Sequence, residues 1–257
     1  MLNRLILKIP IISDYYKDYW LFQRTTTACR GVYNSFEEAL HAVPTKKLAG
    51  YNQPIISQYH SQNQSVTQLT NSSDIGTFHF IDYPVVLWLK SAFTDCSKVF
   101  DLGGNVGIGY YAYRKFLFYP DDLHWLVCEI PEVVKAGKNI AIQQDSKNLS
   151  FTTKFSEAEG SEIFLTCGTL HYLEVTLPDL LETLQVKPKH LLIHNVPFSD
   201  GESFTTLQNI GYAYCPYKVQ NRSEFVNALM LLGYKLIDTA LSPVMRYTLK
   251  AESLAVS

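Results

Sequence analysis

From Lys98 onward the chain alternates short apolar runs with amphipathic stretches, and this alternation restricts the possible fold more than any other feature. The order reads strand (Val99 to Leu102), helix (Val106 to Phe118), strand (Trp125 to Glu129) and helix (Pro131 to Gln144). A short strand (Leu149 to Thr152), a strand (Ile163 to Cys167), a helix (Pro178 to Leu184) and a strand (Leu191 to Asn195) follow. Strands joined through helices by short connections build right-handed βαβ units, and hence a mostly parallel sheet covered on both faces. The C-terminal part predicts a helix from an N-cap at Ser223 to Leu232, a stop at Gly233-Tyr234, and strands from Lys235 to Ala240 and near Met245 to Leu249. A short Leu-Ser-Pro turn would make those two strands a hairpin, so the last strand is expected to enter the sheet antiparallel. The expected class is therefore α/β, with a Rossmann-like sheet in residues 95–257.

Residues 1–94 differ in character and are expected to form an N-terminal helical cap. Ser35-Phe-Glu-Glu38 is a capping-box pattern ahead of the apolar stripe Ala39, Leu40 and Val43, which marks a helix start. Tyr59 to Gly76 is too poor in apolar side chains to build core and suits a loop or lid. Tyr83 to Leu89 suits a buried helix leading into the second region. Leu5 to Ile12 is apolar, but Lys8 and Pro10 interrupt it and no small-residue cleavage site follows, so an element packed on the body is expected rather than a signal peptide. No apolar run reaches the roughly 20 residues that span a bilayer, so membrane insertion is not expected.

Charge narrows the partners. The 22 Lys+Arg and 24 Asp+Glu leave a net charge of -2, which provides no basic field for nucleic acid. The five cysteines, Cys29, Cys96, Cys128, Cys167 and Cys215, show no C-x-x-C spacing, so no metal site is expected and reduced thiols in a cytoplasmic protein is the simplest reading.

The first strand-to-helix turn is where an open parallel sheet brings backbone closest to a ligand, and here it reads Asp101-Leu-Gly103-Gly104-Asn105-Val-Gly107. Glycine leaves no Cβ in the way, while the free N–H groups of the following helix face the ligand. A dinucleotide fingerprint ending at Gly107 would need glycine at position 102, which is leucine. An acid opening the turn repels a pyrophosphate but can hold an ammonium, so Asp101 is the expected anchor of a methionyl amino group. Glu129, 22 residues beyond Gly107, ends the second strand where a carboxylate accepts both hydroxyls of a ribose. Tyr110 and Ile130 flank these two positions. Together they predict a nucleoside cofactor carrying an amino acid.

From about Gly31 the chain resembles a little-characterised bacterial family of class I S-adenosylmethionine-dependent methyltransferases, often encoded beside surface-polysaccharide genes. The resemblance rests on Gly31-Val-Tyr-Asn-Ser-Phe-Glu-Glu-Ala39, Gly50-Tyr51, Phe100 to Gly107 with Tyr110 and Tyr111, Trp125 to Glu129, and Gly168-Thr-Leu-His-Tyr-Leu173. Leu207-Gln208, Pro216-Tyr217 and Gly233-Tyr234 add to it. It implies a Rossmann-like class I methyltransferase sheet, S-adenosyl-L-methionine (SAM) as cofactor and S-adenosyl-L-homocysteine (SAH) as product. It names no acceptor, though the gene association favours a sugar hydroxyl. Two departures stand out: Asn105 replaces a common glycine, and Thr152, Thr153 and Lys154 stand where an acid often contacts the adenine. Phe155 can stack on the base, although a core role suits it better.

Methyl transfer needs nucleophile and methyl held about 3 Å apart, and a hydroxyl nucleophile must also lose a proton. The strand ends offer His171 and His194, which titrate near neutrality and are the candidate bases, each with a plainer structural reading. Cys167 and Thr169 are expected on the methionine side of the cofactor. Tyr172, Asn195, Gln208 and Tyr217 are the candidate acceptor contacts, with Tyr212, Tyr214 and Arg222 in the same aromatic-rich insertion; a packed tyrosine cluster is the competing reading. The acceptor class is an oxygen or nitrogen of a small molecule or carbohydrate. Two rivals remain at this point. A nicotinamide-dependent oxidoreductase or epimerase would use a Tyr-x-x-x-Lys pair; Tyr111 and Lys115 have the spacing but fall on the helix after the glycine turn, the wrong place for proton relay. A non-catalytic SAM-binding scaffold would fit the missing acid.

Overall fold

The computed structural model describes residues 22–50, 78–241 and 250–256. The apolar run Leu5 to Ile12 and the polar stretch Tyr59 to Gly76 lie outside them.

Five parallel strands form the centre, in the order β5 (Leu149–Thr152), β4 (His124–Cys128), β3 (Lys98–Leu102), β6 (Ile163–Cys167) and β7 (His190–Ser199). Beyond β7 lies β11 (Lys250–Val256), antiparallel both to β7 and to β10 (Leu236–Leu241). The antiparallel last strand is thus inserted between its two neighbours, as expected. β10 ends at Leu241 and β11 begins at Lys250, and the Leu-Ser-Pro turn and the Met245 to Leu249 run expected as the last strand lie outside the described residues beyond Leu241.

Alternation along each strand sorts side chains between two cores. Val99, Trp125, Val127, Phe151, Leu165 and Leu192 face α2 (Tyr83–Ala92), α3 (Ile108–Tyr113) and α4 (Pro131–Gln143). Phe100, Leu102, Phe164, Leu191 and Ile193 face α5 (Leu177–Glu182) and α6 (Arg222–Leu231). Near-continuous apolar strands are what a sheet covered on both faces requires.

Two boundaries differ from expectation for local reasons. The first helix of the sheet region begins at Ile108 with Gly107 as its cap and stops at Tyr113, well short of Phe118. Helix α6 is capped by Asn221, whose Oδ1 accepts from Glu224 N at 2.8 Å, and not by Ser223. Both residue types cap helices; Asn221 ends strand β9 (Ala213–Asn221) in extended conformation, which is the backbone state a cap needs.

The N-terminal residues described are mixed rather than helical. Helix α1 (Phe36–His41) starts at the expected box, with Ser35 Oγ accepting from Glu38 N at 3.0 Å and Glu38 Oε2 accepting from Asn34 N at 2.8 Å. Strand β1 (Cys29–Tyr33) pairs antiparallel with β8 (Phe204–Asn209), which pairs with β9, and β2 (Leu48–Ala49) runs parallel to β9. The insertion after β7 is therefore a hairpin whose outer edge is completed from the chain's start, a long-range pairing that Cys-Arg-Gly-Val-Tyr does not announce. Since β9 joins β7 at Phe198 and Ser199 while β11 occupies the other edge of Phe198, this second layer continues on the β6 side, beyond the carboxyl end of β6 at Cys167.

Gly137 shows how tightly one helix seats. A Cβ there would run into the Phe151 ring. Glycine to alanine inside a helix normally gains about 1 kcal/mol; for Gly137→Ala the sign should reverse, with a loss of about 1–3 kcal/mol from overpacking, checked by urea unfolding.

Candidate active site

Asp101 is the penultimate residue of β3, on the α2/α3/α4 side of the sheet, and Glu129 follows β4 two residues beyond Val127 on that same side. Both expected acids therefore share one face. Asp101 is 3% exposed, and its Oδ2 accepts from Trp125 Nε1 at 3.1 Å. Burial pushes its carboxyl up to about 7 from 3.8; the indole N–H opposes this and the Glu129 charge adds to it. Glu129 is also raised by burial, against the pull of two backbone N–H groups. These are Asn105 N on Oε1 at 3.1 Å and Ile130 N on Oε2 at 3.0 Å. Each oxygen is thus held in place with a lone pair still free to accept.

The glycines earn their positions by close approach. A Cβ on Gly104 would collide with the Asp101 carboxylate, and one on Gly103 with the Thr169 side chain. Asn105, where glycine is common, has φ 54°, a left-handed state that asparagine tolerates, and its Oδ1 accepts from Val106 N at 2.8 Å. The departure from the usual motif is thereby accommodated.

Across the sheet the same face continues with Cys167 at the end of β6 and, in register beside it, His194 of β7. Glu129, Asp101, Cys167 and His194 thus lie on one face at the carboxyl ends of four neighbouring strands, with Asp101 two residues back in register from Cys167. Burial drives the Cys167 thiol pKa up, so it is a neutral wall beside the turn. Tyr110 is buried, with its ring 5.8 Å from that of Trp125, and packs in the core that holds the indole.

No known protein-family profile matches the chain, and no curated protein matches it in sequence. Solved structures match it in fold. A Burkholderia thailandensis 1,6-didemethyltoxoflavin-N1-methyltransferase, solved with 1,6-didemethyltoxoflavin and S-adenosylhomocysteine, superposes with TM-score 0.50 at 17% identity, covering 79% of this chain and 84% of that one. A protein of Pyrococcus horikoshii OT3 superposes with TM-score 0.50 at 10% identity, over 77% and 94% of the two chains. This chain has the Rossmann-like methyltransferase fold.

Several side chains assemble beyond the turn of that fold. The Tyr172 hydroxyl donates to Gln208 Oε1 at 2.6 Å, and the His171 ring lies 4.3 Å from those of both Tyr172 and Tyr217. The hairpin thus packs onto the 3-10 turn after β6, bringing together residues 36 to 46 positions apart. Asn195, at φ 56°, sits beside Gly168. Tyr214 is elsewhere, buried against Phe22, and Arg222 pairs with Asp200 at 3.4 Å. Phe155 packs on Phe100 and Phe164, the core role.

Two acids were missed from sequence. Glu157, in a 3-10 turn after β5, has its Oε1 bonded by Thr152 Oγ1 at 2.8 Å, and so provides a carboxylate near the third parallel strand although 152–154 do not. Asp82, ahead of α2, approaches His194 to 4.0 Å. Asp82-Tyr-Pro reads as an ordinary helix start, and only packing reveals its neighbour. Among the described residues, Asp95, Cys96 and His190 bring three potential metal ligands within 4.8 Å of one another, at the opposite, amino end of the sheet. No described helix is long and apolar enough to cross a membrane, and all five cysteines are free.

Proposed function

We propose that this chain is a SAM-dependent methyltransferase acting on an oxygen or nitrogen of a small-molecule or carbohydrate acceptor. The observation that carries the reading is the turn itself: two acids on one face of the sheet, with glycine where a Cβ would collide with the Asp101 carboxylate (Gly104) and with Thr169 (Gly103). The donor set fits the cofactor. Asp101 holds the amino group, Glu129 accepts the ribose hydroxyls, and Asn105, Gly103, Gly104 and Gly107 let the backbone approach. Ile130 packs beside the ribose, Cys167 and Thr169 wall the methionine side, and Glu157 is available to the adenine amine. The bound cofactor supplies a methyl group made electrophilic by its sulfonium.

The chain's own task is then positioning and water exclusion. Tyr172, Gln208 and Tyr217 present stacking surface and polar tips to an acceptor from the hairpin side, with Asn195 at the end of the central sheet. A sugar hydroxyl agrees with the resembling family's gene association and with tyrosine-rich surroundings. The oxidoreductase alternative loses its pair: Tyr111 is fully buried on α3 and Lys115 lies past the end of that helix.

Titration calorimetry with SAH, SAM and NAD tests the reading. SAH and SAM should bind and NAD should not. Glu129→Ala should weaken SAH binding more than tenfold, about 1.4 kcal/mol, with the fold intact; unchanged affinity would remove Glu129 from the site, and NAD binding would remove the reading.

A further inference from the structure

His194 is 4% exposed, and neither ring nitrogen has a hydrogen-bond partner among the described residues. Leaving a buried donor and acceptor without partners is unfavourable, and each such group in a folded protein calls for an explanation. The backbone around it is equally specific. Ile193 pairs with Leu254 and Val196 with Glu252, so His194 and Asn195 together oppose Ser253 alone: a β-bulge, with Asn195 at φ 56°. Bulges bend a strand and re-aim side chains, and they concentrate beside active sites. Here the bulge sits at the carboxyl end of β7, next to Cys167 and the Gly168 turn, whose N–H bonds to His194 O at 3.0 Å.

Facing the imidazole is Asp82. Its Oδ2 accepts from His79 N at 2.9 Å, which locks the carboxylate and leaves Oδ1 4.0 Å from His194 Nε2, about 1 Å beyond a hydrogen bond. The other ionisable groups around this corner, among the residues whose side chains are described, are Cys167 on β6, Tyr113 on α3, and Asp101 on β3, whose charge acts on both. Burial pushes the Cys167 and Tyr113 pKa values up, so both are neutral at neutral pH. Burial lowers the His194 pKa and Asp82 pulls it back up, which keeps the ring neutral and able to accept a proton.

We propose that His194 removes the proton from an acceptor hydroxyl, with Asp82 as its positioning residue, so that the methyl acceptor is an alcohol or phenol; this rests on the SAM-dependent reading above. The hydroxyl oxygen forms a bond to the methyl carbon as the carbon–sulfur bond breaks, its electron pair staying on sulfur. The hydroxyl proton passes to His194 Nδ1, and the resulting imidazolium turns its Nε2–H to Asp82; the proton leaves to water with the products. Such bonds are often long in the free enzyme and tighten on substrate binding. His171 also has a buried ring nitrogen, Nδ1, without a partner among the described residues, but it is wedged between Tyr172 and Tyr217, and burial pulls its pKa down to about 3 with no opposing carboxylate among those residues.

The test follows the histidine ring resonances by NMR against pH, with His194→Gln assigning the signal, in the full chain with and without saturating SAH. Asp82→Asn should lower the His194 midpoint by roughly one pH unit while SAH affinity stays within twofold. The same proteins are then given methyl-labelled SAM and a panel of phenols, catechols and methyl glycosides beside their amino analogues. Label should enter hydroxyl compounds, His194→Gln should cut kcat about a hundredfold, and Asp82→Asn should cut it about tenfold while moving the acid limb of the rate profile to lower pH. An unmoved His194 midpoint in Asp82→Asn, or label entering amines alone, overturns the proposal. Absence of SAH binding to the wild type instead refutes the cofactor reading, so the two failures are distinct.

Discussion

SAH affinity should rise about tenfold per pH unit from pH 5 to pH 7 and then level off, a span of about a hundredfold, and Asp101→Asn should flatten the profile at the weak end. The cause is the buried carboxyl of Asp101, held at about 7 in the free protein. An ammonium ligand demands the ionised form, so at acid pH binding must first expel a proton, at 1.36 kcal/mol per pH unit. Stability runs the other way. A group whose folded pKa is raised favours the folded state below its unfolded value of 3.8 and loses that contribution as pH rises through about 7, at most about 4 kcal/mol for this group. The free Asp101→Asn protein should therefore be more stable than wild type at pH 8 and equal to it at pH 4, as thermal scans would show. Calorimetry at several pH values checks the binding half, and a flat wild-type profile would exclude Asp101 as the anchor.

Trp125→Ala should be the most damaging single change to the fold, at about 3–5 kcal/mol, or a fall of roughly 10 °C in Tm for a chain of this size. The side chain is 0% exposed and sits at the middle of the sheet among the rings of Tyr110 and Tyr119. The same residue is the donor to Asp101, so its loss also deprives a buried carboxylate of its partner. Trp125→Phe separates the two roles. It keeps most of the ring volume but not the N–H, so it should cost less stability and shift the SAH binding profile to higher pH. A Phe variant with an unshifted profile would show that the indole bond does not tune Asp101.

The turn's residues and their placement on one sheet face were legible along the chain for a local reason. The acids and glycines occupy consecutive or strand-end positions, and their chemistry depends on local geometry: a carboxylate at a strand end, glycine where a Cβ would collide. The alternation of β3, α3, β4, α4 and β5 is likewise local, since each element carries its own period and cap. Where the local rule was ambiguous, the prediction slipped. Asn221 and Ser223 are both good caps, and the strand ending at Asn221 chose between them. Tyr110 shares its segment with the glycine turn, and its ring packs beside that of Trp125.

Long-range pairing was not legible. β1 meets β8 across more than half the chain, so what looked like a helical cap is in part a strand layer joined to the sheet. Glu157 and Asp82 were overlooked because a lone acid in a turn or before a proline carries no signal until its partner is known.

The linear order of residues therefore settled the sheet's architecture, its antiparallel final strand and the two-acid glycine turn, because these follow from periodicity and from contacts between near neighbours. Packing of distant segments settled which histidine faces a carboxylate: hydrophobic burial brings the start of α2 over the end of β7, and the bulge at His194 and Asn195 sets the direction of the ring. No pattern along the chain encodes a distance between residues 82 and 194, and only the folded chain brings Asp82 to 4.0 Å from His194.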